Sequence, residues 1–586
     1  MGLRRHERCV EFPPCNYGGA FALVLGLLAF LGPAHAQQGG SPGFDVRQTE
    51  RRFESQDIRQ NQGGRSDVAV PRVARGEASA DPTPLFVLRN VSLTGAHAIP
   101  AARLTEAWQP FIGKKVSQAD LARIATGVGD IYRRAGFHLS RAMVPPQDVA
   151  GGTIRIQVIE GAITEIDLKG EGAGQFGIRA LLGPVVAEQP SRLATLERQL
   201  MLVNARPGVR VTDTQLEEIG KASGHFRLVV SVKVWHVYGF AGLNNLGSSA
   251  VGPWQGYATA AYNSMIAPGD TLALNLSTTP GDPRQLRFAR MSYDTPIGVD
   301  GLRVGASGLY SEVWPGDRRR LFSDNTKTES FELRASIVPL QSQKSGLTLT
   351  LATGFSNVTE RDVFGPIYHD AIRTVSLNAD YRLQDDFGGT NYLTVNWRQG
   401  LDFLGASEKG DRWTSVWGAS PNFSALNFWF TRYQKIGDSF SLKLASAGQM
   451  ASGPMYLSQQ FYIGGLAFGR GYGAAEISGD NGIAGSLELR YDHKLNYKYW
   501  TGFQLYSFVD SGLVWWDGLR PSDGTALTSA GGGVRLFLGG DLRADFGVAV
   551  PLGYRAPDNW ARHPRFLFTL SNALKLCPER AATKCL

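Results

Sequence analysis

The feature that most constrains the fold is a long series of strands, from about Val237 to Leu574, in which apolar and polar residues alternate. In the stretch VSLNADYRL, alternate residues from Val375 to Leu383 are apolar or aromatic, and those between them are polar or charged. A soluble sandwich also alternates, but it does not need so many strands that share one apolar face and keep charges on the other. The pattern therefore predicts a barrel that crosses a membrane with its strands.

The number and spacing of the strands fit the same prediction. We count sixteen strands of about 10 residues, an even number and long enough to cross an apolar layer at a tilt. Short links such as Gly539–Gly540 alternate with long ones such as Pro315–Glu329. The 70 glycines and the 10% of aromatic residues also favour β-structure. We expect short turns at one end of the barrel, long loops at the other, and a polar, wet lumen.

The N-terminus carries the pattern of an export signal. Three arginines, Arg4, Arg5 and Arg8, precede an apolar run over 20–32 and small residues at 34–36. The alternative is a membrane anchor, but the run is shorter than the roughly 20 apolar residues that a spanning helix needs. Residues 1–36 are therefore predicted to be a signal peptide. Export, and a net charge of +8 that is not concentrated in one patch, argue against a nucleic-acid partner.

Two segments of different composition follow the signal. Residues 37–62 are dense in Arg, Glu and Gln and contain few apolar residues, which predicts a polar helix that either stays in solvent or fits a wet cavity. Residues 63–85 are rich in Gly, Pro, Ser and Ala, which predicts a flexible linker.

Residues 86–161 predict one strand, two helices and two strands, and residues 162–236 repeat that order. Within the second unit, Gly172, Gly174 and Gly177 spell GxGxxG between a strand and a helix. A dinucleotide-binding fold needs a further parallel strand after that helix, whereas a second helix follows here, so we interpret these glycines as turn and cap residues.

The stretch GGLAFGRGYG places Arg470 among glycines within the longest link between barrel strands. By strand parity, the lumen-facing residues after it include Glu488 and Arg490 in one strand and Phe508, Asp510 and Gly512 in the next. A carboxylate beside a glycine offers an arginine a partner and room to approach it. We therefore expect Arg470 to enter the lumen and pair with Asp510; the alternative is an arginine in a solvated outer loop.

These features resemble the two-partner secretion transporters of Gram-negative outer membranes, a family in the same superfamily as the barrel-assembly insertases. The resemblance implies a plug helix (37–62), a linker, two polypeptide-transport-associated domains, here POTRA 1 (86–161) and POTRA 2 (162–236), and a 16-strand antiparallel barrel (237–574). The matching motif residues are Gly469, Arg470, Gly471 and Tyr472, similar to the Val-Arg-Gly-Tyr tip of an in-folded sixth loop, and Phe508, Asp510 and Gly512, similar to an inward Phe-x-Asp-x-Gly motif. Gly469 in place of Val is a departure that concerns packing more than charge.

The resemblance implies a pore, without cofactor, that exports one large secreted β-rich protein of adhesin or cytolysin type. Periplasmic POTRA domains would capture this partner, with outer-membrane lipid and the barrel-assembly machinery as further partners. The alternatives are an insertase, which typically has more POTRA domains, a porin, against which the POTRA repeats argue, and an enzyme. HExxH and GxxxxGK[ST] motifs are absent, the one GxSxG string (residues 39–43) lies in the polar stretch after the signal rather than between a strand and a helix, and the 9 histidines show no metal-ligand spacing.

The C-terminus differs from the family pattern. Its members usually end on an aromatic residue that closes the last strand, whereas here the last strand is expected to end at Leu574 and a tail (575–586) follows. Cys577 and Cys585 in this tail either form a disulfide in an oxidising compartment or remain free thiols.

Overall fold

The computed structural model describes residues 81–149, 151–220, 223–248, 250–553 and 563–576, together with Thr49, Val68, Val70 and Pro71. The predicted signal peptide, nearly all of the predicted plug helix, most of the linker, and Cys577 and Cys585 lie outside the described residues. Among the described residues, no helix has the length and apolar character needed to span a membrane.

POTRA 1 is a small α+β unit. Its elements are β1 (Pro84–Val87), β2 (Asn90–Thr94), α1 (Ala101–Leu104), β3 (Lys115–Ser117), α2 (Gln118–Arg134), β4 (Arg141–Met143) and β5 (Thr153–Ile159). The first predicted strand is in fact two: β1 pairs with β3, whereas β2 runs parallel to β5 in the sheet β2-β5-β4. Helix α2 begins at a capping box, in which Ser117 and Asp120 each bond the other's backbone N–H.

POTRA 2 repeats this topology. Its elements are β6 (Ala162–Lys169), α3 (Ile178–Leu181), α4 (Gly183–Ala187), α5 (Leu193–Ala205), β7 (Val209–Glu218) and β8 (His225–Val234). Strand β6 is parallel to β8 and β7 is antiparallel to it. Gly172 and Gly177 flank a single 3-10 turn with φ of +74° and +64°, and Gly174 lies within that turn. The GxGxxG string is therefore a turn whose ends require left-handed backbone.

The two POTRA domains contact each other through a fixed junction. Arg141 donates two hydrogen bonds to Glu218, at 2.6 and 3.2 Å. Leu139, which follows helix α2, is buried in the hydrophobic core of POTRA 2. The Arg141 guanidinium and a hydrogen bond from the Gly224 N–H hold the pKa of Glu218 below its usual value, although burial acts in the opposite direction.

A closed antiparallel barrel of 16 strands follows, as predicted. Its strands are β9 (Val237–Asn244), β10 (Gln255–Asn263), β11 (Thr271–Thr278), β12 (Arg287–Ile297), β13 (Leu302–Val313), β14 (Asn325–Gln341), β15 (Ser345–Asp362), β16 (Gly365–Gln384), β17 (Gly389–Gly400), β18 (Ser424–Ile436), β19 (Phe440–Ala451), β22 (Asn481–Lys494), β23 (Trp500–Trp515), β24 (Thr525–Leu538), β25 (Arg543–Pro551) and β26 (Arg565–Leu576). A short hairpin, β20 (Phe461–Ile463) and β21 (Ile477–Gly479), lies in the loop between β19 and β22.

The strand faces follow the predicted alternation. In β11, Leu274 and Leu276 are 40% and 44% exposed on the outside, whereas Asn275 and Ser277 are buried on the inside. The strands range from 8 residues in β9 to 20 in β16, so several are longer than predicted. About 10 residues suffice to cross the apolar layer. In β16 the pairing with β17 covers residues 374–384, and residues 365–373 continue beyond it.

The last strand closes the barrel against the first. Strand β26 pairs with β9 from Thr569 opposite Asn244 to Leu576 opposite Val237. The strand therefore ends two residues after the predicted Leu574, because pairing with the start of β9 extends to Leu576.

Candidate functional site: the in-folded sixth loop

The sixth loop, residues 452–480, folds against the inner wall of the barrel. Its hairpin β20–β21 holds Phe461, Ile463 and Ile477 in one buried apolar cluster with loop and wall residues. The cluster is completed by Ala445, Ala447, Phe468, Tyr472, Ala484, Val514 and Leu527. This packing against β19, β22, β23 and β24 places the loop tip, residues 464–476, beside those strands.

Two glycines of the tip are required by the backbone and by close approach. Gly469 has φ of +83°, and a Cβ at this position would lie 2.5 Å from Cδ1 of Leu527. A Cβ on Gly471 would lie 2.8 Å from Cβ of Ser529. Gly469 in place of the family's Val therefore concerns backbone conformation as well as packing, which the sequence did not indicate.

Arg470 is buried in the middle of this tip. Each nitrogen of its guanidinium donates a hydrogen bond to a residue of the barrel wall. Its Nε and Nη2 bond the two carboxylate oxygens of Asp510 at 2.9 and 2.8 Å. Its Nη1 donates to Oε2 of Glu488 at 2.6 Å, and Nη2 also reaches Oγ of Ser486 at 3.1 Å. Even the backbone N–H of Arg470 donates to Asp510, at 3.1 Å. The side chains of Arg470, Glu488 and Asp510 are 7%, 2% and 0% exposed, so the expected contact is present and shielded from water.

The remaining motif residues shape the space around the guanidinium. The ring of Phe508 lies beneath it, with Cζ of Arg470 3.4 Å from the ring centroid, which is a cation–π contact. Gly512 gives space to the hairpin, because a Cβ there would lie 2.6 Å from Cδ1 of Ile463. Phe508 and Asp510 therefore both contact Arg470, whereas Gly512 makes room for the hairpin.

Glu488 connects Arg470 to a second buried arginine that the sequence analysis did not identify. Its Oε1 accepts from Arg535 and from Arg490, both at 2.7 Å. Arg535 in turn bonds Asp545, directly opposite on β25, at 2.9 Å. Arg490 thus contacts Glu488 rather than the loop tip. The inward parity of Arg535 and Asp545 is visible in the sequence, but their connection to Arg470 depends on how the strands are staggered around the barrel.

Tyr472 joins the tip to three other parts of the barrel. Its hydroxyl donates to the backbone oxygen of Thr528 on β24 at 3.1 Å. Its own backbone oxygen accepts a hydrogen bond from Arg565 on β26. Arg565 also donates to the backbone oxygen of Gly247 in the first loop, at 2.9 Å. No sequence motif singled out Arg565, because its partner oxygen belongs to the backbone.

The arrangement binds a loop through charge, not a small molecule. Three buried or largely buried arginines, Arg470, Arg490 and Arg535, meet the carboxylates of Glu488, Asp510 and Asp545. Removing one partner from such a network leaves an opposite charge buried without compensation. The site therefore holds the sixth loop in the lumen with a strength that a solvated pair would not provide.

A closed barrel preceded by POTRA domains, with a loop anchored inside the lumen, defines the class of outer-membrane barrels that carry periplasmic POTRA domains. Within it, residues 228–536, more than half of the chain, match the family described as Haemolysin secretion/activation protein ShlB/FhaC/HecB, and residues 86–161 match the POTRA domain of ShlB type. The chain belongs to this haemolysin secretion/activation family. It is a two-partner secretion transporter of the outer membrane.

Similar proteins include the Heme/hemopexin transporter protein HuxB of Haemophilus influenzae, 24% identical over 75% of this chain and 79% of that protein. The Outer membrane transporter CdiB of Escherichia coli is 21% identical over 94% of both chains. The solved structure of CdiB from Escherichia coli has a TM-score of 0.73 at 18% identity and covers 92% of this chain and all of that one, which shows a shared fold. The similar proteins are transporters.

We expect Arg470→Ala and Asp510→Ala each to free the sixth loop while the barrel still inserts, because the wall does not depend on the pair. Breaking a shielded pair from one side costs about 3–5 kcal/mol, against about 0–1 kcal/mol for a wet pair. Cleavage of the loop by external protease on intact cells measures the release, and heat-modifiability on gels reports the barrel. Arg320→Ala, which removes an exposed arginine of the third loop (314–324), is the matched control.

The double variant decides whether the two residues act through each other. We expect it to be little worse than either single variant, since the second substitution removes the charge that the first left unpaired. Additive effects on protease protection would contradict the assigned contact.

Proposed function

We propose that this transporter exports one large secreted β-rich protein and that POTRA 1 captures it in extended form along the free edge of β2. The observation that carries the proposal is the difference between the four edge strands of the two three-stranded POTRA sheets, β2-β5-β4 and β6-β8-β7. An extended segment can add to a sheet edge through main-chain hydrogen bonds, provided that the edge is long, regular and uncovered.

Three of the four edges are unsuitable for strand addition. Strand β4 has only three residues. Strands β6 and β7 each contain a register irregularity, between Ile163 and Glu165 and between Val211 and Asp213. In β7 the Val211 N–H already donates to Asn204, at 3.0 Å. Bulges and short length are the usual protection of sheet edges against pairing.

Strand β2 has neither a register irregularity nor a length of only three residues, although an added strand would have to displace the side chain of Asn90, whose Oδ1 accepts from the Val91 N–H at 2.9 Å. Its five residues pair with β5 in unbroken register on one side only. Asn90, Ser92 and Thr94 are exposed, and Val91 and Leu93 pack against the POTRA 1 core. The outer edge of β2 therefore supports the addition of an extended chain.

The names of the relatives support one class of cargo. They include the Hemolysin transporter protein HpmB of Proteus mirabilis, which supports a cytolysin. An adhesin is the other candidate. We propose further that the exposed apolar belt of the barrel contacts outer-membrane lipid and that the barrel-assembly machinery inserts it. The cargo, the lipid contact and insertion by the barrel-assembly machinery are three separate proposals.

Deleting the gene in the source bacterium should remove one large protein from the medium and the cell surface. Comparison of secreted proteins from wild-type and deletion strains by mass spectrometry measures this. Complementation with the Arg320→Ala variant should restore the protein, whereas Arg470→Ala should not. Loss of many unrelated outer-membrane barrels in the deletion strain would instead support an insertase.

A photocrosslinking amino acid at Ser92 should capture the exported protein during secretion, because an added strand would lie directly beside β2. The same group at Thr212, an exposed residue of β7, is the control. Crosslinks at Thr212 but not at Ser92 would move the capture edge to POTRA 2. Secretion in the absence of POTRA 1 would reject capture by this domain.

We propose that residues 37–62 form a helix that occupies the lumen as a plug. Thr49 supports this, since it is helical and only 3% exposed although its segment is highly polar. Replacing residues 44–62 with a Gly–Ser sequence of equal length should raise the open probability in planar bilayers, because a polar helix blocks a wet lumen without an apolar interface. Unchanged conductance would contradict the plug and leave the transporter assignment intact.

A further inference from the structure

Part of the segment expected to be a flexible linker is packed in the structure. Val68 is 3% exposed and belongs to the hydrophobic core of POTRA 2, and Val70 packs against the same core. One buried and one partly buried apolar side chain, both packed on a domain core, hold their backbone in place. The prediction of flexibility over residues 63–85 is therefore wrong at Val68 and Val70.

The third short turn of the barrel, residues 342–344, holds Val68 from the other side. The side-chain amide of Gln343 donates from Nε2 to the backbone oxygen of Val68 at 2.7 Å. The backbone N–H of Gln343 donates to Oε1 of Glu197, on helix α5, at 2.6 Å. Gln343 thus joins the barrel turn to the Val68 segment and to POTRA 2 at once.

Helix α5 contacts the barrel through backbone oxygens that irregular segments expose. Arg198 donates to the oxygen of Val338 and to that of Asp300, both at 2.8 Å. The pairing of β14 with β15 shifts between Ile337 and Leu340, around Pro339, which lacks an N–H for the ladder. This irregularity leaves the Val338 oxygen available to Arg198.

Apolar contacts support the same interface. Val338, and Val299 in the turn 298–301, both pack against the POTRA 2 core. A Cβ on Gly301 would lie 3.2 Å from Cδ2 of Leu202 on α5, which shows how closely the helix approaches this turn. POTRA 2 is therefore seated on particular turns beneath β12–β15, and the Val68 segment lies at that contact.

We propose that Val68 and Gln343 form a tie that fixes the N-terminal segment in the seam between POTRA 2 and the barrel, and that this tie holds the orientation of POTRA 2. The chain before Val68 then starts from one fixed point beside the third turn rather than from the far end of a free linker. The inference depends on contacts among described residues and is independent of the plug and of the capture edge.

Cysteine labelling tests the tie in the full chain, with the 4 native cysteines replaced by serine. We expect a maleimide to label Val68→Cys at least about 10-fold more slowly than Asp81→Cys, an exposed position of the same segment. Adding Gln343→Glu should bring the two rates together, because a carboxylate has no N–H to donate to the Val68 oxygen and would repel it. Gln343→Lys, which keeps a donor, should preserve slow labelling.

Gln384→Glu is the matched control, since Gln384 is exposed at the neighbouring strand end. Equal rates for Val68→Cys and Asp81→Cys without further substitution would overturn the tie. The tie would also be overturned if Gln384→Glu accelerates labelling as much as Gln343→Glu, or if Gln343→Glu has no effect. Heat-modifiability in each variant confirms that the barrel is folded.

Spin labels test the orientation of POTRA 2. Labels at the exposed residues Arg210, on β7, and Lys435, at the end of β18, should give a narrow distance distribution that Gln343→Glu broadens and Gln384→Glu does not. An unchanged distribution in Gln343→Glu would overturn the claim that the tie orients POTRA 2, whatever the labelling rates.

Discussion

The burial of one charge, the guanidinium of Arg470, determines much of the barrel interior. A buried arginine is tolerated only with carboxylates and hydrogen-bond acceptors around it, and here Asp510, Glu488 and Ser486 supply them. Glu488 must then serve three arginines, which brings Arg535 and Asp545 into the same network. A loop held in this way leaves the lumen only if several ion pairs exchange partners together.

The same requirement accounts for the glycines and for the uneven distribution of side chains around the wall. Gly469 and Gly471 let the loop backbone approach β24, and Gly512 lets the hairpin approach β23. The inner wall formed by β13–β16 carries many small hydroxyl residues and, together with residues 457–459 of the sixth loop, lines a cavity of about 200 Å³. Among the described residues, the lumen is therefore filled where the loop is anchored, and the cavity lies between the loop and the wall of β13–β16.

Outside the membrane, fixed contacts recur at each junction. Arg141 and Glu218 join the two POTRA domains, and Arg198 joins POTRA 2 to backbone oxygens of the barrel. Arginine suits such junctions because its planar group reaches two acceptors at once. A partner protein captured on POTRA 1 would thus meet a periplasmic unit whose geometry relative to the pore is defined by specific contacts.

Strand parity and turn composition, which are local properties, were sufficient to predict the barrel, its strand number, the repeated α+β units and the inward direction of Glu488, Phe508 and Asp510. Contacts that depend on strand stagger or on backbone oxygens were not predictable in this way. Arg535 reaches Glu488 only because of the stagger, Arg565 bonds a carbonyl of Tyr472, and Val68 enters a core formed by residues that follow much later in the chain. The sequence determined which face each side chain presents. Apart from the pair of Arg470 and Asp510, which the motifs indicated, only the tertiary structure decided which distant partners meet there, because backbone acceptors and relative strand positions carry no residue-specific signal.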